Sequence, residues 1–465
     1  MKGISAIIAT VLILIIVISL AGLSYVYISG IFGRRKIIDV LDVYKNQVTI
    51  KNVGTQKLLL NEIAITIEGK EVQIYADKEE ILPGEVAEIK FIPPKFGKIN
   101  FRIRTPHFAS ALSTNIEYAY KTRVVVSAYQ ADYDIKVVSY SDGNKITYPG
   151  GSFVLNRGEI GTIPAASITQ GSTINGTGAF SLGTTSGEGD EMVPLKFAGK
   201  EFVYDAGRGT QRLYFCSPFF NAVVDIYDNA KNKVTTLNIA KNQCASFTYD
   251  FPNDWYKVVS NVPILGQADN NGIDSYVTYP ASKDLWGISS SHRYSIGCGE
   301  DGTELKIYYS NGESFTYTCN FGGEFTFDRP GSQGCCEAVH IISNKPVGAI
   351  QWADCDGVEA TSFLPEKELS DVYFLPQDAQ YVSIAVTQPN TLCKLFDPNG
   401  NLIDQAISGN LPRPFPNHIF FGSTSSGAHI LAGSSIICNS TFYAYYERAS
   451  DDETNMFGLK IESPI

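Results

Sequence analysis

Few residues in this chain are arranged for chemistry. The histidines are five, His107, His292, His340, His418 and His429, and no two lie at metal-ligand spacing. GxSxG, HExxH and phosphate-loop patterns do not occur. A Ser–His–Asp site needs no proximity in sequence, so a hydrolase stays a minor reading. The chain is expected not to be an enzyme and to carry no cofactor. Two Asp-rich stretches offer the best binding groups. Asp269, Asn271 and Asp274, and then Asp354, Asp356 and Glu359, could present hard oxygen ligands to Ca²⁺. Asn-Gly and Asp-Gly also build hairpin turns, and Cys355 is poor company for Ca²⁺. The turn role is the expected one, with no tight metal site. Trp255, Trp286 and Trp352 would stack on sugars if exposed; core packing is expected for each.

The nine cysteines all follow residue 215. No CxxC occurs, and Cys335 and Cys336 are adjacent, so zinc-finger spacing is absent. Disulfides persist in oxidising compartments. Asn175-Gly176-Thr177 and Asn439-Ser440-Thr441 are N-glycosylation sequons. A formal charge of −11 argues against a nucleic-acid partner and suits an exposed surface.

An internal repeat must position most of these groups. A strand ending in Cys recurs, Leu213-Tyr214-Phe215-Cys216 and Ser295-Ile296-Gly297-Cys298. Val259-Ser260-Asn261-Val262-Pro263 is matched by Ile342-Ser343-Asn344-Lys345-Pro346. Ala268-Asp269 is matched by Ala353-Asp354. All three recur about 85 residues on. A more divergent third copy holds Leu392-Cys393-Lys394 and Ile437-Cys438-Asn439. Within this frame Cys216 pairs naturally with Cys244, Cys298 with Cys319, and Cys393 with Cys438. Cys355 is left with Cys335 or Cys336, and one cysteine is over. Spacing does not fix connectivity.

Upstream, Val48-Thr49-Ile50-Lys51, Ile63-Ala64-Ile65-Thr66-Ile67 and Ile99-Asn100-Phe101-Arg102-Ile103 alternate apolar and polar. Asn52-Val53-Gly54, Glu68-Gly69-Lys70 and Pro83-Gly84 separate them with turn chemistry. About seven short strands suit an Ig-like sandwich. The very N-terminus is different. Ile4 to Gly33 contains no charged residue, with Lys2-Gly3 before it and Arg34-Arg35-Lys36 after it. As a helix it would measure about 45 Å, against ~30 Å of bilayer hydrocarbon.

The stretch KGISAIIATVLILIIVISLAGLSYVYISG, with the "NVGT" and "LPGE" turns after it, resembles archaeal type IV pilins and archaellins with a class III signal peptide. That resemblance implies prepilin-peptidase cleavage between Gly3 and Ile4. It also implies a passage through the membrane and a filament core formed from Ile4 onward, where Ser19, Gly22, Ser29 and Gly30 let copies approach closely. Partners would be copies of itself or related pilins, with surface glycans or other cells met by the exposed body. From Lys200 to Phe457 the "SNxP" repeat distantly resembles the repeated β-module of the IgGFc-binding family of surface and adhesion proteins, which implies binding rather than a reaction. Arg34 to Lys36 would by charge bias hold the body in the cytoplasm; cysteines and sequons outweigh them in favour of the outside.

The expected fold is mostly β: a long N-terminal hydrophobic α-helix, an Ig-like β-sandwich headpiece and tandem β-sandwich repeats. The expected divisions are a leader and helix at 1–36, the headpiece at 37–122, an irregular or linker β region at 123–210, with strands near Val124–Val126 and Ile135–Val138, and repeats at 211–292, 293–380 and 381–465. The alternative to a filament subunit is a membrane-anchored adhesin that does not polymerise.

Overall fold

A computed structural model describes residues 35–44, 47–67, 69–72, 74–76, 78–91, 97–116, 121–125, 134–184, 192–205, 210–250, 255–270, 275–289, 294–327, 337–351, 361–449 and 454–457. Among the described residues strands dominate, interrupted by 3-10 turns such as Leu60–Glu62 and Glu366–Glu368, and no α-helix occurs. None of the described residues forms a helix long and apolar enough to cross a membrane. The expected fold class is corrected accordingly, from helix plus β to almost entirely β. The segment assigned to the helix, Ile4–Gly33, lies outside the described residues, as do Gly3, Ser19, Gly22, Ser29 and Gly30. The expectation rested on length and apolarity. Those properties measure the cost of exposure to water, and a segment rich in Ile and Val has side chains that suit strands as well as helices.

The chain divides into two compact units, Met1–Phe91 with Lys98–Ile116, and Ile92–Gly97 with Glu117–Ile465. The first holds two four-stranded sheets. One runs Ile38–Tyr44, Gln47–Asn52, Val86–Phe91, Ile74–Ala76; the other Phe108–Ile116, Gly97–Thr105, Ala64–Ile67, Lys70–Glu71. Period-two alternation puts Val48, Ile50, Ile65, Ile67, Ile89, Phe101 and Ile103 inside. The "NVGT" turn closes on buried Asn52. Its Oδ1 accepts from Gly54 N at 3.0 Å, and its Nδ2 donates to Gln56 O and Ile81 O at 2.9 and 2.8 Å.

The second unit is built on one motif. A long strand, Trp255–Asn270, serves two sheets. Its first half lies between Gly199–Asp205 and the hairpin Ala222–Asp228/Lys233–Ile239; its second half lies between Ser275–Thr278 and the pair Thr210–Ser217/Gln243–Asp250. The same plan recurs around Glu337–Gln351 and around Ser435–Arg448. In each copy the strand changes sheets at the "SN" landmark, and the register slips opposite it, between Gly199/Glu201, Ser282/Asp284 and Ser370/Val372. Such bulges make the corners of sandwiches. The landmark asparagine fills the lapse in the ladder. Asn261, Asn344 and Asn439 each use Oδ1 to accept from the hairpin amide opposite, Val223, Glu304 and Leu392, at 2.7, 2.8 and 3.1 Å.

Two expected divisions change. The strands Ser282–Ser289 and Ser370–Phe374 open the second and third expected repeats rather than ending the ones before, because each pairs with the long strand that follows it. The region 123–210 is a folded sandwich and not a linker. Lys121–Val125, Asn144–Tyr148 and Gly151–Leu155 flank Thr173–Gly176, and Ile135–Ser139 pairs with Ile160–Ile163 and Phe180–Thr184. These are the pairings of the other copies, with the long strand broken at Thr177–Ala179. Thr177 Oγ1 accepts from Lys145 N at 2.7 Å, standing where asparagine stands elsewhere. Its core holds Ile135, Val137, Ile146, Leu155, Ile163, Ile174 and Phe180. The unit is therefore four tandem sandwiches.

The four close on one another. Gly199–Asp205 of the second packs against Glu337–Gln351 and Tyr294–Cys298 of the third, and Ser282–Ser289 of the third against Ala379–Val386 and Ser435–Arg448 of the fourth. Ser370–Phe374 of the fourth returns to the first, where Val372 and Phe374 meet Val138, Tyr140, Ile160 and Ala179. Gly171 of the first abuts Cys244 of the second, with a Cβ there falling 3.3 Å from its sulfur. Within this unit the sandwiches form a closed ring.

Candidate functional site

Disulfides join Cys216 to Cys244, Cys298 to Cys319 and Cys393 to Cys438, the three pairs read from the repeat. They are not structural counterparts. Cys216–Cys244 spans directly opposed residues of paired strands, as does Cys393–Cys438 on a different pair, whereas Cys298 and Cys319 sit on strands that do not pair with each other. Cys335, Cys336 and Cys355 lie outside the described residues, as do Asp274, Asp354 and Asp356. Asp269 is a strand residue, opposite Arg212 and Ser275. Of the sequon residues, Asn439 is exposed but occupied by its corner bond to Leu392, and Asn175 is half-buried in Thr173–Gly176. Trp255 and Trp286 are buried and so present no face to a sugar; Trp352 is outside the described residues.

Both buried tryptophans sit at junctions. The Trp255 indole lies on Gly297 of the next sandwich and donates to Glu324 Oε2 at 2.6 Å. Trp286 organises the junction between the third and fourth. It opposes His340 in register and stacks on its ring, with centroids 4.0 Å apart and planes 19° apart. Its Nε1 donates to Asp284 Oδ1 at 3.0 Å. Asp284, His340 and Glu366 bring one donor atom each to within 4.8 Å of the others. Arg413 holds Glu366 Oε1 at 2.5 Å and lies over the Trp286 ring, 5.7 Å from its centroid.

The hydrogen bonds of His340 fix its tautomer. Nδ1 is 2.6 Å from the Pro414 carbonyl oxygen, which can only accept, so Nδ1 carries a proton. Nε2 then faces Asp284 Oδ1 at 3.1 Å. The carboxylates respond to their surroundings in opposite directions. Burial pushes Asp284 up, but the His340 hydrogen bond and charge, Glu366 and Trp286 hold it below the ordinary range. Glu366 is raised, by burial first and then by neighbouring Asp284, with Arg413 opposing.

Sequence reasoning missed this cluster. Its members come from a strand, the long strand and a 3-10 turn, far apart in the chain; only the pairing of Trp286 with His340 unites them. Their shared signal was faint, an Asp-x-Trp on one strand face. The other described histidines stand apart: His107 accepts from Lys36 N, His418 meets Ser383 Oγ at 2.9 Å, and His429 meets Ser425. Two shallow clefts between the second and third sandwiches hold only about 10 Å³ and about 0 Å³, far below the ~300–1,000 Å³ of small-molecule sites.

The sequence matches no protein-family model and no curated protein. Fourteen chains of solved structures match. One is the crystal structure of a tetra-tandem repeat in the extending region of a large adhesion protein. It is 11% identical, covers 91% of this chain and 98% of that one, and has a TM-score of 0.12. That score is too low to bear on fold or function.

Proposed function

We propose that this chain is an extracellular structural subunit of the pilin type, whose apolar N-terminal segments gather out of water in a filament while the β-body faces the medium for adhesion. The observation that carries the reading is a β-body with three disulfides behind an uncharged apolar segment, Ile4–Gly33, that begins after a glycine. Disulfides belong to oxidising compartments, and an apolar stretch of about 30 residues needs lipid or other copies to cover it. A net charge of −11 keeps such a body soluble. Two measurements test it together. Mass spectrometry of the mature chain is expected to find Ile4 as the first residue. Electron microscopy of sheared surface material is expected to show filaments containing the chain. An intact Met1 on a chain that stays with the membrane would overturn the filament reading in favour of a non-polymerising anchored adhesin.

A further inference from the structure

We propose that Asp284, His340 and Glu366 form a divalent metal site, suited to Zn²⁺ or Mn²⁺, that fastens the third sandwich to the fourth. The inference stands apart from the filament reading and holds for any function of the chain. Its basis is the orientation of a buried ring. His340 is 1% exposed, its Nδ1 faces the Pro414 carbonyl at 2.6 Å, and its Nε2 lies 3.1 Å from Asp284 Oδ1. A ligating histidine commonly has this arrangement, with the far N–H on a backbone carbonyl fixing the tautomer. The 3.1 Å between Nε2 and Asp284 Oδ1 also matches two neighbouring donors on one ion. Bonds of about 2.0–2.2 Å place such donors roughly 3 Å apart.

Charge and access point the same way. Two carboxylates share the cluster, and the single guanidinium of Arg413 sits on Glu366, while Asp284 faces His340 Nε2. A divalent ion would balance the carboxylate charge that Arg413 leaves. The Asp284 and Glu366 side chains keep 37% and 32% of their exposure, so an ion can enter from solvent and retain water on its open positions. One imidazole with two carboxylates selects borderline and harder divalent ions over thiophilic ones. Trp286 supports the set from both sides, stacking on the histidine and donating to Asp284. Pro414 and Arg413 belong to the fourth sandwich, so the ligands of an ion held here reach the neighbour through the His340–Pro414 hydrogen bond and the Arg413–Glu366 ion pair.

The test is isothermal titration of the full-length, untagged chain with ZnCl₂ and separately MnCl₂, after chelator treatment and alkylation of free thiols. One equivalent of at least one ion is expected to bind. Glu366→Gln and Asp284→Asn are expected to weaken binding at least about tenfold, and His340→Gln to abolish it. X-ray absorption of the loaded chain is expected to show nitrogen and oxygen neighbours and no sulfur. His340 is buried and its replacement disturbs the core, so Glu366→Gln, at a partly exposed side chain, carries the decision if that variant does not fold. Absence of stoichiometric binding of either ion to the wild type would overturn the proposal and leave the cluster a hydrogen-bonded clasp. Binding unchanged in Glu366→Gln and Asp284→Asn would overturn it equally, since the ion would then sit elsewhere.

Discussion

Closure of the four sandwiches can be tested at the seam between the first and the last. Tyr140 and Phe374 pack there with centroids 4.7 Å apart and planes tilted by 40°, and Phe374 N–H donates to Tyr140 OH at 3.2 Å. Tyr140 OH and Ser181 Oγ share a hydrogen bond at 2.5 Å. Truncating Phe374, which is 3% exposed, to alanine should cost about 3–5 kcal/mol locally. Part of that belongs to the seam. An aromatic pair contributes about 0.5–1.5 kcal/mol beyond its buried area; the hydrogen bond to the tyrosine hydroxyl comes from the Phe374 backbone, survives Phe374→Ala and drops out of the comparison. A double-mutant cycle of Tyr140→Ala and Phe374→Ala should therefore give a coupling of about 0.5–1.5 kcal/mol. The assay is amide hydrogen exchange of the full chain, read in Ile135–Ser139 and Ser370–Phe374. Phe374→Ala should loosen the first of these strands, and Tyr140→Ala the second, by roughly five- to thirtyfold in exchange rate. Strictly additive effects, each confined to the mutated sandwich, would refute closure, because an open array gives two residues separated by 234 positions no direct means of sensing each other.

Other perturbations probe other parts. A Cβ at Gly297 would lie 1.8 Å from Trp255 Cε3, so Gly297→Ala should cost at least about 1–3 kcal/mol by overpacking and lower the melting temperature; an unchanged melt would deny that the indole is seated there. Burial pushes the His418 imidazole down to about 4. The folded state thus refuses a proton that the unfolded chain takes up near pH 6.5. Stability is full above pH 6.5 and is lost as pH falls towards 4, by at most about 3 kcal/mol and less for a ring that is partly exposed. His418→Gln should flatten that part of the stability–pH curve, and an unaltered slope would count against the assignment. Lys36 lowers the Glu62 pKa through a direct side-chain hydrogen bond, helped by the Leu59 amide. The pair's contribution should be present at neutral pH and fade as Glu62 protonates below the ordinary carboxylate range, and Lys36→Met should remove the fading. Cys393→Ser with Cys438→Ser opens a loop of 45 residues and should cost about 2–4 kcal/mol, seen in urea unfolding; equal stability would mean that the bridge only follows the fold.

How much was legible differs from element to element. Alternation at period two is read directly from residues such as Val48–Lys51, and it survives in the structure because one face of each strand is buried. The repeat was visible in three copies because an asparagine, Asn261, Asn344 or Asn439, sits where the long strand must change sheets, a position with a specific hydrogen-bonding task. The first sandwich escaped because Thr177 performs that task with a hydroxyl, and its long strand is cut at Gly178. Division points slid by one strand because Ser282–Ser289 and Ser370–Phe374 carry no landmark; their membership is decided by pairing alone. The Asp284–His340–Glu366 cluster was illegible for a similar reason. Burial of His340 against Trp286 is a consequence of register, and register is a property of the sheet rather than of either strand.

The seam at Tyr140 and Phe374 also bears on how the molecule comes into being. The first sandwich is synthesised before its neighbour across the seam. Its patch of Val138, Tyr140 and Ala179 must wait for Val372 and Phe374, which arrive 234 residues later. At about 5–20 residues per second, that interval is roughly 10–50 s. During it a fully folded first sandwich still shows an apolar patch to its surroundings, and chains nascent side by side can stick through it. A holdase or a narrow export channel would therefore act most usefully on the earliest sandwich, and a truncation removing the last one would leave a soluble-looking protein that aggregates through its beginning.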